Sequence, residues 1–167
     1  MTLRVVVFDF DLTLADSTDG VTECVNFALA RLGLPARSAE SIRRTIGLPL
    51  SETFRALSPV TDTRLEHDFV QCFVQRADEV MAELTDIFPE VPDTLDAPRS
   101  MSTAPAIVSA KFAYRIRDIL ARAALDTQFS VIVGGEDVSP NRPATTMTPP
   151  TYSYSRPQSG LTDSSQC

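Results

Sequence analysis

A Rossmann-like α/β fold, with a parallel sheet and an inserted helical cap, is predicted by three features of the 167-residue chain. Residues 3–8, 106–109 and 129–133 are apolar and rich in β-branched side chains, the composition of strands buried in a parallel sheet. Segments with a helical apolar period alternate with them. Too many of those segments lie between the first two strands for a single crossover. They read as an insertion above the carboxyl edge of the sheet, where ligands of such folds bind.

Each element has its own signal. Val21, Val25, Ala28, Leu29 and Leu32 recur at helical spacing after the first strand, and Gly33 stops that helix. Ser38 and Ser51 are expected as N-caps of two short helices separated by Gly47, Leu48 and Pro49. Leu65, Phe69, Phe73, Val80, Met81 and Leu84 predict a longer amphipathic helix. Pro89 and Pro92 bracket a turn, and the second strand follows at 106–109. Ile116, Ile119, Leu120 and Ala123 mark another helix before the third strand, which Gly134 and Gly135 close. The expected division is a core of residues 1–16 and 86–138, a helical cap of 17–85, and a tail of 139–167. In that tail sixteen of twenty-nine residues are Ser, Thr or Pro, a composition that buries too little apolar surface to offset its ordering entropy. It is expected to be poorly ordered, leaving the sheet incomplete at the C-terminus and residues 131–133 exposed.

Charge and cysteine usage narrow the function classes. The net charge of −7 argues against a nucleic-acid binder, which needs a basic face. No apolar run approaches the roughly 20 residues of a membrane span, and the start of the chain does not read as a secretory signal. Cys24, Cys72 and Cys167 are widely spaced and odd in number. They suggest neither a disulfide framework nor a zinc site, hence a reducing, cytoplasmic setting, and Cys24 and Cys72 read as small packing residues in helices. His67, the single histidine, reads as a solvated helix residue.

Asp9-Phe10-Asp11-Leu12-Thr13 carries the strongest chemical signal. Two carboxylates leave the end of a buried strand two residues apart, where one can attack phosphorus and the other, protonated, can serve the leaving oxygen. Their mutual repulsion makes a divalent cation the natural third party. An acidic turn after a strand would look similar, but the preceding valines, Thr13 and the trailing Leu-Ala-Asp-Ser favour chemistry. On residue type alone, Ser109 is equally a helix cap, Lys111 an exposed lysine at a helix start, and Gly47 a turn.

The segment VVVFDFDLTLADS resembles the first motif of the haloacid dehalogenase superfamily, nearest to its phosphoglycolate phosphatase-like branch. The likeness continues through TIGLPL at 45–50, AIVSAK at 106–111 and VGGEDV at 133–138. The resemblance implies a Mg²⁺-dependent phosphatase acting on a small phosphorylated metabolite. By it, Asp9 is the nucleophile that becomes an aspartyl phosphate, and Asp11 is the general acid and then the base. Asp9 and the Asp11 backbone carbonyl hold Mg²⁺. Thr13, Ser109 and Lys111 bind phosphate, and Gly47, Leu48 and Pro49 form a substrate loop. No nucleic acid or membrane partner is implied.

The pattern departs from the family after residue 138. Arg142-Pro143 stands where a lysine-proline is expected, and no later strand supplies the remaining acid of the metal site. A shifted reading frame or truncation is expected to account for this. Pro98 interrupts a segment that the family keeps helical. The alternative reading is a catalytically impaired fragment that at most binds phosphate or metal.

Overall fold

The computed structural model describes residues 4–100 and 103–137; the tail of 139–167 and the Arg142-Pro143 departure lie outside them. β1 (Arg4–Phe8), β4 (Thr103–Val108) and β5 (Val131–Val133) form a parallel sheet in the order β1-β4-β5. Val7 pairs with Ala106 and Ala106 with Val131, while Phe8 pairs with Ile107 and Ile107 with Ile132. Because side chains alternate along a strand, these two rows lie on opposite faces. α5 (Val91–Ser100) contacts β4, α6 (Ala113–Arg122) contacts β5, and the Phe8 row is the buried one.

On the opposite face Val5, Val7, Val108 and Val131 are 46–59% exposed, while the small Ala106 between Val7 and Val131 is buried. The expected joint exposure of residues 131–133 is corrected by the pleat. Val131 is exposed, but Ile132 turns inward and is buried. Pro105 sits in the central strand, a position proline usually avoids. Its carbonyl accepts from the Ser130 amide and hydroxyl, each at 2.9 Å. The side of Pro105 that lacks an N–H therefore faces a point where β5 has not yet begun.

Between the first two strands of the sheet lies a helical segment. β2 (Ala15–Asp16) and β3 (Asp86–Ile87) pair antiparallel where the chain leaves for these helices and returns from them. Two residues each, they are too short to show a period in sequence. α1 (Thr18–Arg31) packs along α4 (Thr63–Val80), with α2 (Ala39–Arg43) and α3 (Leu50–Leu57) between them in sequence. Cys24, Val25, Ala28, Leu29, Ile42, Phe54, Phe69 and Ala77 are nearly inaccessible within one continuous core.

Several boundaries differ from the sequence pattern: β4 is Thr103–Val108 rather than 106–109 and β5 is Val131–Val133 rather than 129–133. Ser38 caps α2 as expected, but Ser51 lies inside α3, whose N-cap is Pro49. The long helix starts at the Asp62 cap, which accepts from the Arg64 amide at 2.8 Å, and it stops at Val80, leaving Leu84 partly exposed beyond it. The turn expected around Pro92 is the start of α5: a proline in the first helical turn surrenders no intrahelical bond. That helix also runs through Pro98. Cys24 and Cys72 are both buried in helices, as packing residues are, and Cys24 is a free thiol.

α1 and α6 end in the same hydrogen-bonded motif with different residues at its critical position. After α1, the Leu34 amide donates to the Leu29 carbonyl (2.8 Å) and the Gly33 amide to Ala30 (3.0 Å), with Gly33 at φ +69°. After α6, the Leu125 amide donates to Leu120 (2.8 Å) and the Ala124 amide to Ala121 (3.1 Å), but an alanine holds φ +55°. A Cβ is unfavourable in that region, and Ala124 is exposed. Ala124→Gly should therefore raise stability by about 0.5–1 kcal/mol. Urea denaturation with an unchanged slope checks this; a loss of stability would contradict the assignment.

Candidate active site

The loop after β1 is folded back on itself by its own apolar residues. Phe10 and Leu14 are buried, and the Leu14 and Ala15 amides both donate to the Phe10 carbonyl, at 2.9 and 3.1 Å. This tight return pushes Leu12 to φ +61°, a left-handed conformation that costs a non-glycine residue roughly 1–2 kcal/mol. The two carboxylates within the loop are treated differently. Asp9 is exposed at the strand end, with Oδ1 accepting from the Phe10 amide at 2.6 Å. The Asp11 side chain is 11% exposed; its Oδ1 accepts from the Ser17 hydroxyl at 2.6 Å and lies 3.2 Å from Lys111 Nζ.

Ser17 occupies the N-cap position of α1 yet makes no capping bond there. Its hydroxyl is committed to Asp11, and the Thr85 hydroxyl donates to it from the returning chain (3.3 Å). Asp16 takes over the cap by accepting from the Thr18 amide at 2.9 Å and from the Thr18 hydroxyl. Those bonds, opposed by slight burial and aided by Arg43, hold the Asp16 carboxyl below its usual range. Nothing in residue type separates this use of Ser17 from an ordinary cap, so sequence reasoning missed it.

Ser109 and Lys111 arrive on the loop after β4. Since Phe8 pairs with Ile107, the parallel register brings Asp9 and Ser109 out at the same edge of the sheet. The Ser109 amide donates to Val133 (3.1 Å) and its Oγ accepts from the Lys111 amide (3.4 Å). The Lys111 side chain is 6% exposed. Burial pulls its ammonium below the usual lysine range, and the Asp11 charge opposes that shift.

This loop is braced by the segment after β5. A Cβ on Gly134 would lie 2.2 Å from the Ala113 amide nitrogen, and one on Gly135 would lie 2.4 Å from the Ala110 carbonyl. Both backbones therefore approach at a distance that no side chain permits. The Gly135 amide donates to the Lys111 carbonyl at 3.2 Å. Glu136 accepts from the Ala113 amide at 2.8 Å and caps α6 from outside the helix.

Not every residue singled out in the sequence joins this cluster. Thr13 is exposed on the β1 loop, its amide 3.3 Å from the Phe10 carbonyl. Gly47, Leu48 and Pro49 form an exposed turn between α2 and α3, with Gly47 at φ +94°. That turn makes no hydrogen bond or ion pair with Asp9, Asp11, Ser109 or Lys111. Arg43, in the last turn of α2, donates to the Thr18 hydroxyl at 2.8 Å, so this end of the helices leans on the start of α1. His67 is exposed on α4.

For a hard cation the site has a small donor set. The Asp11 carboxylate is engaged by Ser17 and Lys111, whereas Asp9 is exposed with one oxygen outside the Phe10 bond. Among the described residues no cluster of three acidic, histidine or cysteine side chains exists. One carboxylate and a loop carbonyl fit Mg²⁺, which keeps several waters and takes few protein ligands.

Removing one partner of a buried ion pair strands the other charge. Lys111→Met should cost about 3 kcal/mol, and adding Asp11→Asn to it should recover more than half of that loss. Urea midpoints of the two single variants and the double variant test the pairing. Additive losses would show that the two side chains are not coupled.

The wider likeness agrees with this geometry. A model of haloacid dehalogenase-like hydrolases matches residues 6–151, past the change of composition at 138. The phosphoglycolate phosphatase of Aquifex aeolicus is 29% identical over 144 residues, covering 86% of this chain and 66% of that protein. That of Escherichia coli is 30% identical, covering 84% and 64%. A haloacid dehalogenase-like hydrolase structure from Bacteroides fragilis superposes with a TM-score of 0.77 at 36% identity, over 83% of this chain and 66% of that one. The chain thus spans about two thirds of the length of the relatives it matches. With the Asp9-x-Asp11 loop at the carboxyl edge of a parallel sheet and a family match over most of its length, this chain belongs to the haloacid dehalogenase-like hydrolases.

Proposed function

We propose that this chain descends from, and retains the core of, a Mg²⁺-dependent phosphatase acting on a small, phosphoglycolate-like phosphate monoester in the cytoplasm. The observation that carries this reading is the asymmetry of the two carboxylates: Asp9 is exposed and Asp11 is held nearly buried by Ser17 and Lys111. An ionised, accessible carboxylate is what a nucleophile needs, and a fixed one is what proton transfer needs.

In this reading an Asp9 oxygen attacks phosphorus, forming an aspartyl phosphate as the bond to the leaving oxygen breaks. Asp11 gives its proton to that oxygen. The Asp11 carboxylate then takes a proton from water, which releases phosphate from Asp9. Ser109 and Thr13 offer hydroxyl donors to the phosphoryl oxygens, and Lys111 adds positive charge at the rear of the site. Asp9 and the Asp11 carbonyl would hold Mg²⁺, which offsets phosphoryl charge when bound. Residues 1–16 and 86–138 serve as the core, and the 17–85 helices act as a cap whose Gly47-Leu48-Pro49 loop selects the substrate.

The second reading, an impaired fragment that at most binds phosphate or metal, is favoured by one observation. No third acid joins Asp9 and Asp11 among the described residues. A panel of small phosphate esters assayed with and without Mg²⁺ separates the two: metal-dependent turnover supports the phosphatase, and uniform silence from folded protein supports the fragment. Where turnover is found, Asp9→Asn should abolish it with the fold intact. Asp11→Asn should cost roughly 10²–10⁴-fold on alkyl phosphates. The loss should be smaller on aryl phosphates, whose leaving groups need little protonation. An active Asp9→Asn variant would overturn the roles.

A further inference from the structure

The two members of the Asp11–Lys111 pair are each tied to the helical segment, and by different helices. Asp11 is held through Ser17, at the start of α1. Lys111 stands two residues before α6, and the first turn of α6 is bound to α4 through Arg115. Since α1 packs along α4, the two ties belong to one frame.

The tie between α6 and α4 leaves little freedom. The Arg115 side chain is 8% exposed, and its Nε and Nη2 both donate to Asp78 Oδ1, at 2.9 and 2.7 Å. Nη2 also donates to the Val74 carbonyl, one turn earlier in α4, at 2.9 Å. The Tyr114 hydroxyl adds a third donor to the same Asp78 oxygen, at 2.5 Å. The guanidinium carbon lies 5.0 Å from the centre of the Phe112 ring and 5.2 Å from that of Tyr114, within cation–π range. Phe112 is the N-cap residue of α6 and directly follows Lys111. A charge-assisted fork on a nearly buried arginine resists sliding, so it fixes the backbone step on which Lys111 stands. Arg115 is also near enough to Lys111 for the two cations to repel, a smaller effect on the ammonium than its burial. Each cation is met by a carboxylate from another element, Lys111 by Asp11 and Arg115 by Asp78.

We propose that Asp78 and Arg115 are positioning residues for Lys111: through them α4 sets the place of the Lys111 ammonium against Asp11. A shift of the helical segment would then move both members of the pair, Asp11 by way of Ser17 and Lys111 by way of Arg115. Asp78 carries the greater burden, because without it the Arg115 charge stands unpaired beside Lys111. The consequence for phosphoryl transfer rests on the proposed phosphatase reading; the placement of the ammonium does not.

Lys111 is the only lysine of the chain, so the full chain labelled with ¹³C-lysine gives a single set of side-chain NMR signals. At fixed pH a held ε-methylene shows two separate proton signals, and a freely rotating one shows a single averaged signal. Two signals are expected from the unaltered chain. Asp78→Ala should merge them and should raise the rate of Lys111 acetylation by acetic anhydride roughly tenfold, as the exposed population grows. Where Asp78→Ala does not fold, Arg115→Met, which leaves no unpaired cation behind, carries the same test. Arg76→Met, which cuts the ion pair of α4 with Glu23 on α1, should leave both signals apart. A single averaged signal from the unaltered chain would overturn the proposal. So would separate signals that persist in the folded Asp78 or Arg115 variant, or equal merging in Arg76→Met. The expected signals combined with silence toward phosphate esters would sink the phosphatase reading and leave the positioning intact.

Discussion

A buried ammonium is the constraint around which the site is built. Lys111 is nearly inaccessible, and a lysine in that position stays charged only if a carboxylate meets it. Asp11 does so, and because its Oδ1 also takes the Ser17 hydroxyl, one oxygen joins three segments: the loop after β1, the loop after β4 and the start of α1. Thr85 extends the chain of contacts to the segment that returns into β3. The carboxylate left free is Asp9. One loop thereby holds one anchored and one accessible acid, although the two are separated by a single residue.

The anchoring depends on backbone approaches that side chains would forbid. Gly134 and Gly135 let the segment after β5 press against Ala110, Lys111 and Ala113, and the Gly135 amide fixes the Lys111 carbonyl. Glu136, next in sequence, caps α6 and so sets where that helix begins. Substituting either glycine would move the loop that carries Ser109 and Lys111 rather than merely thin the core.

The sheet and the long helices were legible because their signal is periodic and local. Residues 3–8 and 129–133 read as buried strands; the strands are there, but Arg4–Val7 are exposed and β5 spans only Val131–Val133, while the α1 stripe of Val21, Val25 and Ala28 placed that helix within a few residues. The Asp9/Asp11 pair is visible in the sequence as two acids at the end of an apolar strand, and the structure places both on the loop after β1. What escaped was set by tertiary contact. β2 and β3 are too short to carry a period, Ser17 looks like any cap, and Pro92 reads equally as a turn or a helix start. The engagement of Lys111 by Asp11 spans one hundred residues and leaves no mark in either local pattern.

The central claim is that Asp9 is the reactive carboxylate and Asp11 its fixed partner. The most direct measurement is covalent trapping: the full chain is mixed with an aryl phosphate and Mg²⁺, quenched in acid, digested and mapped by mass spectrometry. A phosphoryl group on Asp9, absent from Asp11, is the predicted result. A phosphoryl group on any other residue, or none on Asp9 during measurable turnover, would contradict it.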